Sequence, residues 1–213
     1  MPALNLVELM TLYAKLGIAD WIKTSSDIKN RANRCLGNRI AENIGAAAQT
    51  LSKPFSQNGA GSFLFIPMPN LPQRIPSGGV ECSFFCPMQE WVDGERVARV
   101  SFDLFMLVTD MKCLAFRLEP GHVGDSSHDY CHLQFNRRML AKNMGAETRP
   151  WMPDSYPAFP TRTKDPIELF LFMATSVHGH TNGMRAVLRE IFTQGNRASE
   201  AASYLAILDM MFN

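Results

Sequence analysis

Residues 80–108 read VECSFFCPMQEWVDGERVARVSFDLFMLV, two apolar-rich runs, Val80–Trp91 and Arg96–Val108, on either side of Asp93-Gly94. An Asp-Gly pair supplies the positive-φ turn that joins two antiparallel strands, so the stretch predicts a β-hairpin. The pattern continues outward. Lys112–Leu118 follows a tight turn around Asp110 and alternates Leu114, Phe116 and Leu118 onto one face. A fourth strand is expected over His128–Asn136, with Cys131, Leu133 and Phe135 inward and Tyr130, His132 and Gln134 outward. The loop between them, Glu119 to Ser127, carries Pro120, glycines and serines. Four strands with one apolar face need a lid, which flanking helices can provide.

Helical periodicity dominates the N-terminal side. Leu6, Leu9, Met10, Tyr13 and Leu16 recur at helical spacing, with Gly17 as the expected stop, and Trp21 and Ile22 add an apolar patch. A second helix is expected from an N-cap at Ser26. Its stripe is Ile28, Ala32, Cys35, Leu36, Ile40, Ile44, Ala47, Ala48 and Leu51, closed by Pro54, and it carries Gly37 and Gly45 inside. Residues 53–79 hold Pro67, Pro69, Pro72 and Pro76, which impose extended backbone and exclude a central strand. Ser62–Ile66 can add a short edge strand before those prolines. A second proline-rich connector covers 145–164. Then Asp165-Pro166-Ile167-Glu168 gives an N-cap, a proline at the first helical position and a carboxylate behind it. The helix it opens, Ile167–Val177, is apolar nearly all round. Another follows from Asn182, with Met184, Val187, Leu188, Ile191 and Phe192 on one side. The last, Ser199–Phe212, presents Ala202, Leu205, Leu208, Asp209 and Phe212 together.

The expected fold is therefore α+β: a four-stranded antiparallel β-meander packed against N-terminal and C-terminal helices. The 213 residues suit a single domain, with 1–52 as a helical N-terminal arm. Apolar residues make up 46% and the net charge is +1, values that argue against wholesale disorder and against a general polyanion binder. No apolar run has the length of a membrane-spanning helix, and Met1–Leu12 lacks the basic region and cleavage site of a signal peptide. Cys35, Cys82, Cys86, Cys113 and Cys131 are odd in number and widely spaced, unlike a secreted disulfide framework, so a reducing, cytoplasmic setting is expected. Thirteen methionines favour adaptable packing or interface surface.

Several residue groups invite chemistry. Cys82, Cys86, His128, Cys131 and His132 resemble a zinc set in type, yet strand geometry holds Cys82 and Cys86 about 13 Å apart at roughly 3.3 Å per residue. His128 and His132 face the same difficulty, so a metal site there needs a bulge. His178-Gly179-His180 lies at a helix end, where imidazoles either chelate or satisfy the last carbonyls. If the chain is an enzyme, His132, His178 and His180 are the expected catalytic positions. No Gly-x-Ser-x-Gly elbow and no phosphate-binding glycine loop is present in the sequence. Asp103 reads as an outward-facing carboxylate without a partner at useful spacing. Lys29, Arg31, Arg34 and Arg39 form one basic cluster, and Arg137 and Arg138, with Lys142, a second. Together on one side they could hold a phosphate backbone or an acidic partner. Apart, they are solvated faces.

The order helix, four-stranded meander, proline-rich crossing with Tyr156-Pro157-x-x-Pro160, then helices, resembles the ubiquitin-conjugating and RWD arrangement over residues 26–193. A conjugating enzyme carries its reactive cysteine after the fourth strand, and no cysteine follows Cys131 here. The resemblance therefore implies a non-catalytic, partner-binding member. The functional expectation is a non-enzymatic cytosolic protein-interaction subunit without cofactor. It would be an accessory part of a larger complex or a homo-oligomer joined through its N-terminal helices, with no membrane partner. The alternatives are a metal-dependent hydrolase or nuclease built on a histidine cluster, and a nucleic-acid-binding accessory protein.

Overall fold

The central hairpin forms as β2, Val80–Val92, and β3, Arg96–Val108, with Val92 opposite Arg96. The computed structural model describes residues 5–52, 64–70, 80–92, 96–108, 112–119, 132–135, 159–160, 165–179, 182–194 and 197–212. Asp93-Gly94 and the turn around Asp110 lie outside these residues, but the register on either side of the first leaves a connection of residues 93–95. β4, Lys112–Glu119, and β5, His132–Phe135, continue the antiparallel meander. Residues 128–131 and 136 of the expected fourth strand lie outside the described set.

Two very short strands extend this meander at its edges, β1 (Ile66–Pro67) and β6 (Phe159–Pro160), giving the order β1-β2-β3-β4-β5-β6. Prolines at both edges fit their lack of an N–H, since an edge strand need not donate on its outer side. Tyr156 and Pro157 lie outside the described residues, while Pro160 ends β6.

The apolar face of the sheet carries Phe85, Val100, Phe102, Leu104 and Met106, all buried in one large core with the flanking helices. The expectation of a single covered face is too simple. Phe84, Phe105 and Leu107 point the other way and form a second core with Trp21, Ala32, Leu36 and Ile40. Alternation within β3 places apolar residues on both faces, so both need cover.

Helix α1, Leu6–Lys23, starts at an Asn5 cap whose Oδ1 accepts from Glu8 N–H at 2.8 Å. It runs through Gly17 rather than stopping there. A Cβ on Gly17 would lie 1.8 Å from the Pro67 carbonyl oxygen, so glycine here permits the helix backbone to touch β1. Leu9, Met10 and Tyr13 of α1 are fully buried in the large core.

The long second helix divides in two. α2, Ser26–Leu36, is capped by Ser25, not Ser26, and ends at Gly37 in the left-handed region (φ 62°), followed by Asn38 at φ 58°. Ile40 then bridges Phe65 in parallel: Phe65 N–H donates to Arg39 O at 2.8 Å and Ala41 N–H to Phe65 O at 2.7 Å. Asn43 Oδ1 accepts from Ala46 N–H at 2.6 Å and restarts the chain as α3, Ile44–Ser52. The break releases the chain to cover the outer edge of β1, where unpaired backbone groups would otherwise sit.

On the C-terminal side, α4, Pro166–His178, has the expected start: Asp165 Oδ1 accepts from Ile167 N–H at 2.8 Å and Glu168 N–H at 3.1 Å. Its Leu169, Phe170, Leu171, Met173, Ala174 and Val177 are buried. α5, Asn182–Gln194, buries the five residues read from its stripe. α6, Ala198–Phe212, is rotated from expectation: Ala201, Tyr204 and Leu208 face inward, while Ala202 and Asp209 are exposed. Arg197, just before it, pairs with Glu8 of α1 and with Glu200, fastening the two ends of the fold together.

Candidate functional site

Asp103 is the most deeply placed charge among the described residues, at 0% exposure on the second face of the sheet. It was expected to face solvent. The β3–β4 register sets it opposite Arg117, and the guanidinium meets it in two bonds, Nε to Oδ1 at 2.9 Å and Nη2 to Oδ2 at 3.1 Å. A bidentate pair is the arrangement in which a buried carboxylate keeps its charge. Across the other neighbour, Asp103 lies opposite Cys86. Burial pushes the Cys86 thiol up, the Asp103 charge adds to the shift, and a bond from the Leu64 backbone, Arg117 and Arg39 oppose it. Cys82 is raised in the same way, first by burial and then by Glu81. A thiol held protonated is a poor nucleophile and a poor metal ligand. The pair, with Cys86 beside it, therefore reads as a structural polar inset in an apolar face, and Cys82 as a separate buried thiol.

His178 is likewise interior. Its Nε2 is 2.7 Å from the Tyr13 hydroxyl, a buried hydrogen bond that joins α4 to α1. Phe170 meets the Tyr13 ring edge-on at 5.3 Å, and Phe85 lies 5.6 Å from it. Gly179, at φ 76°, ends α4 as expected, with its N–H on Thr175 O. His132 is the first residue of β5, its backbone opposite Glu119 and Pro160. His128 and His180 lie outside the described residues. Among the described residues no three histidine, cysteine or acidic side chains are gathered closely enough to hold a metal ion.

The basic cluster of α2 is partly consumed by the fold. Lys29 Nζ donates to Ile22 O at 3.0 Å and lies 5.8 Å over the Trp21 ring. Arg31 pairs with Glu81 at 2.7 Å and Asp27 at 3.0 Å. Arg34 is exposed and Arg39 half-buried, and neither has an ion pair among the described residues. Arg137 and Arg138 lie outside them.

A shallow, narrow cleft lies where α1 crosses the end of β1, lined by Trp21, Thr24, Met68, Asn70, Cys82 and Ser83. Trp21 Nε1 and Ser83 Oγ are buried without hydrogen-bond partners among the described residues. Both belong to residues that line the cleft, which leaves no room for a water-sized molecule.

Among the described residues, large exposed hydrophobic side chains gather on α6: Met210 is 68% exposed and Phe212 41%, while Ile22 of α1 is 64% exposed. Phe212 stacks on Phe172 of α4, rings parallel within 4° and centroids 6.2 Å apart. Outward positions Ala202, Ser203 and Ala206 lead to Met210, and the nearby Asp209 is bonded by Arg185 at 3.1 Å. Solvated helix faces ordinarily carry lysine, glutamate or arginine. This one does not. The signal was present in the sequence: Glu200 and Asp209 are the only charged residues from Ala198 to Asn213, and none is basic.

No family model, no curated protein and no solved structure matches this chain. No helix among the described residues is long and apolar enough to cross a membrane.

Proposed function

We propose that this chain is a non-enzymatic protein-interaction subunit and that α6 is its contact element. The observation that carries the reading is the exposed Met210 and Phe212 on a helix whose outward side lacks basic residues. Methionine and aromatic side chains are enriched at the centres of protein interfaces, where they are desolvated, and lysine and glutamate are depleted. Phe172 supports Phe212 from behind, so the aromatic contact is already positioned before any partner arrives. Most apolar residues of the N-terminal helices, Ile22 excepted, lie inside the two cores, which favours α6 over residues 1–52 as the contact. Buried thiols at Cys82 and Cys86 suit a reducing compartment such as the cytoplasm.

The test is photo-crosslinking in the cells that make the protein, with a benzophenone amino acid at position 210, 206 or, as a control, 34. A discrete adduct from 206 and 210 but not from 34 supports the reading, whether it contains a second copy or a different protein. Absence of adducts at 206 and 210 overturns it. An adduct from 34 to nucleic acid would instead favour the accessory nucleic-acid role, for which Arg34 and Arg39 are the available cations.

A further inference from the structure

We draw no further inference here: the strongest candidate, the cleft between α1 and the end of β1 lined by Trp21 and Ser83, whose Nε1 and Oγ lack a hydrogen-bond partner among the described residues, leaves no room for a water-sized molecule, and nothing in the structure shows what ligand would answer them.

Discussion

Replacing Gly17 by alanine separates two opposite expectations. In a helix interior with open space beside it, alanine is favoured over glycine by about 1 kcal/mol, so the substitution would stabilise the protein. Here the new Cβ would meet the Pro67 carbonyl oxygen at 1.8 Å, the Pro67 carbonyl carbon at 2.7 Å and the Met68 carbonyl carbon at 3.0 Å. All three are backbone atoms, so no side chain can rotate away. An ordinary carbon–oxygen contact is roughly 3.3 Å, and α1 must therefore retreat from β1 by about 1.5 Å. That retreat loosens Ile66, Met68 and Trp21, which fill the two cores on either side. A clash this deep with rigid backbone lies at the upper end of the cost of overpacking, about 3 kcal/mol, and outweighs the gain of about 1 kcal/mol in helix propensity. A net loss of about 2 kcal/mol corresponds to a fall in Tm of roughly 4–8 °C for a chain of this length. Thermal unfolding by circular dichroism measures it. Gly45→Ala is the control, since its Cβ would meet only the Asn43 Oδ1 at an ordinary 3.4 Å. A Gly17→Ala variant as stable as wild type, or more so, would refute the close approach of α1 to β1.

Three further outcomes follow from the interior polar groups. Tyr13→Phe keeps the ring against Phe85 and Phe170 but removes the 2.7 Å bond to His178; it should cost about 1–2 kcal/mol by urea titration, and an unchanged midpoint would mean that this bond contributes nothing. Arg117→Met takes the bidentate partner from a fully buried carboxylate and should cost about 3 kcal/mol or more, whereas Asp103→Leu with Arg117→Met should recover most of that loss; additive effects in the double-mutant cycle would contradict the coupling. Cys82 and Cys86 hold their protons more tightly in the folded state than in the unfolded one. Their contribution to stability is therefore complete below the unfolded thiol value of about 8.5 and declines as pH rises beyond it. Mass-spectrometric alkylation should leave both unmodified at neutral pH until urea unfolds the chain; rapid labelling of native Cys86 would refute its burial.

Local signals carried most of the fold. The apolar-rich runs on either side of the Asp93-Gly94 pair and the Asp165-Pro166 cap are each read within a few residues, and β2, β3 and α4 stand where those signals put them. Two glycines were read the wrong way round. Gly17, taken as a stop, is a contact inside α1, and Gly37, taken as an interior position, is the stop of α2. The distinction depends on Pro67 and Phe65, which lie far away in the chain. The apolar stripe crosses the break because Leu36 and Ile40 are both buried in the second core, one by helix and the other by extended chain. Asp103 was misplaced for a similar reason: its partner arrives from β4 through strand register. The expected basic cluster was visible as composition, but which of its charges remain available was not, because Glu81 reaches Arg31 from β2. On α6 the useful signal is the missing basic residues; of the expected inward stripe Leu208 is buried, while Ala201 and Tyr204 take the places expected for Ala202 and Leu205.

Native mass spectrometry of the untagged chain, isolated gently from the cells that make it, asks most directly whether α6 joins it to another protein. Wild type should appear in a defined complex with a second copy or another protein, and Met210→Glu, with an unchanged circular dichroism spectrum, should appear as the free 23.9 kDa chain. A wild-type spectrum containing only that free chain, or the free chain with one stoichiometric metal ion, would contradict the interaction role. The metal-bound result would direct mutation to His132, His178 and His180.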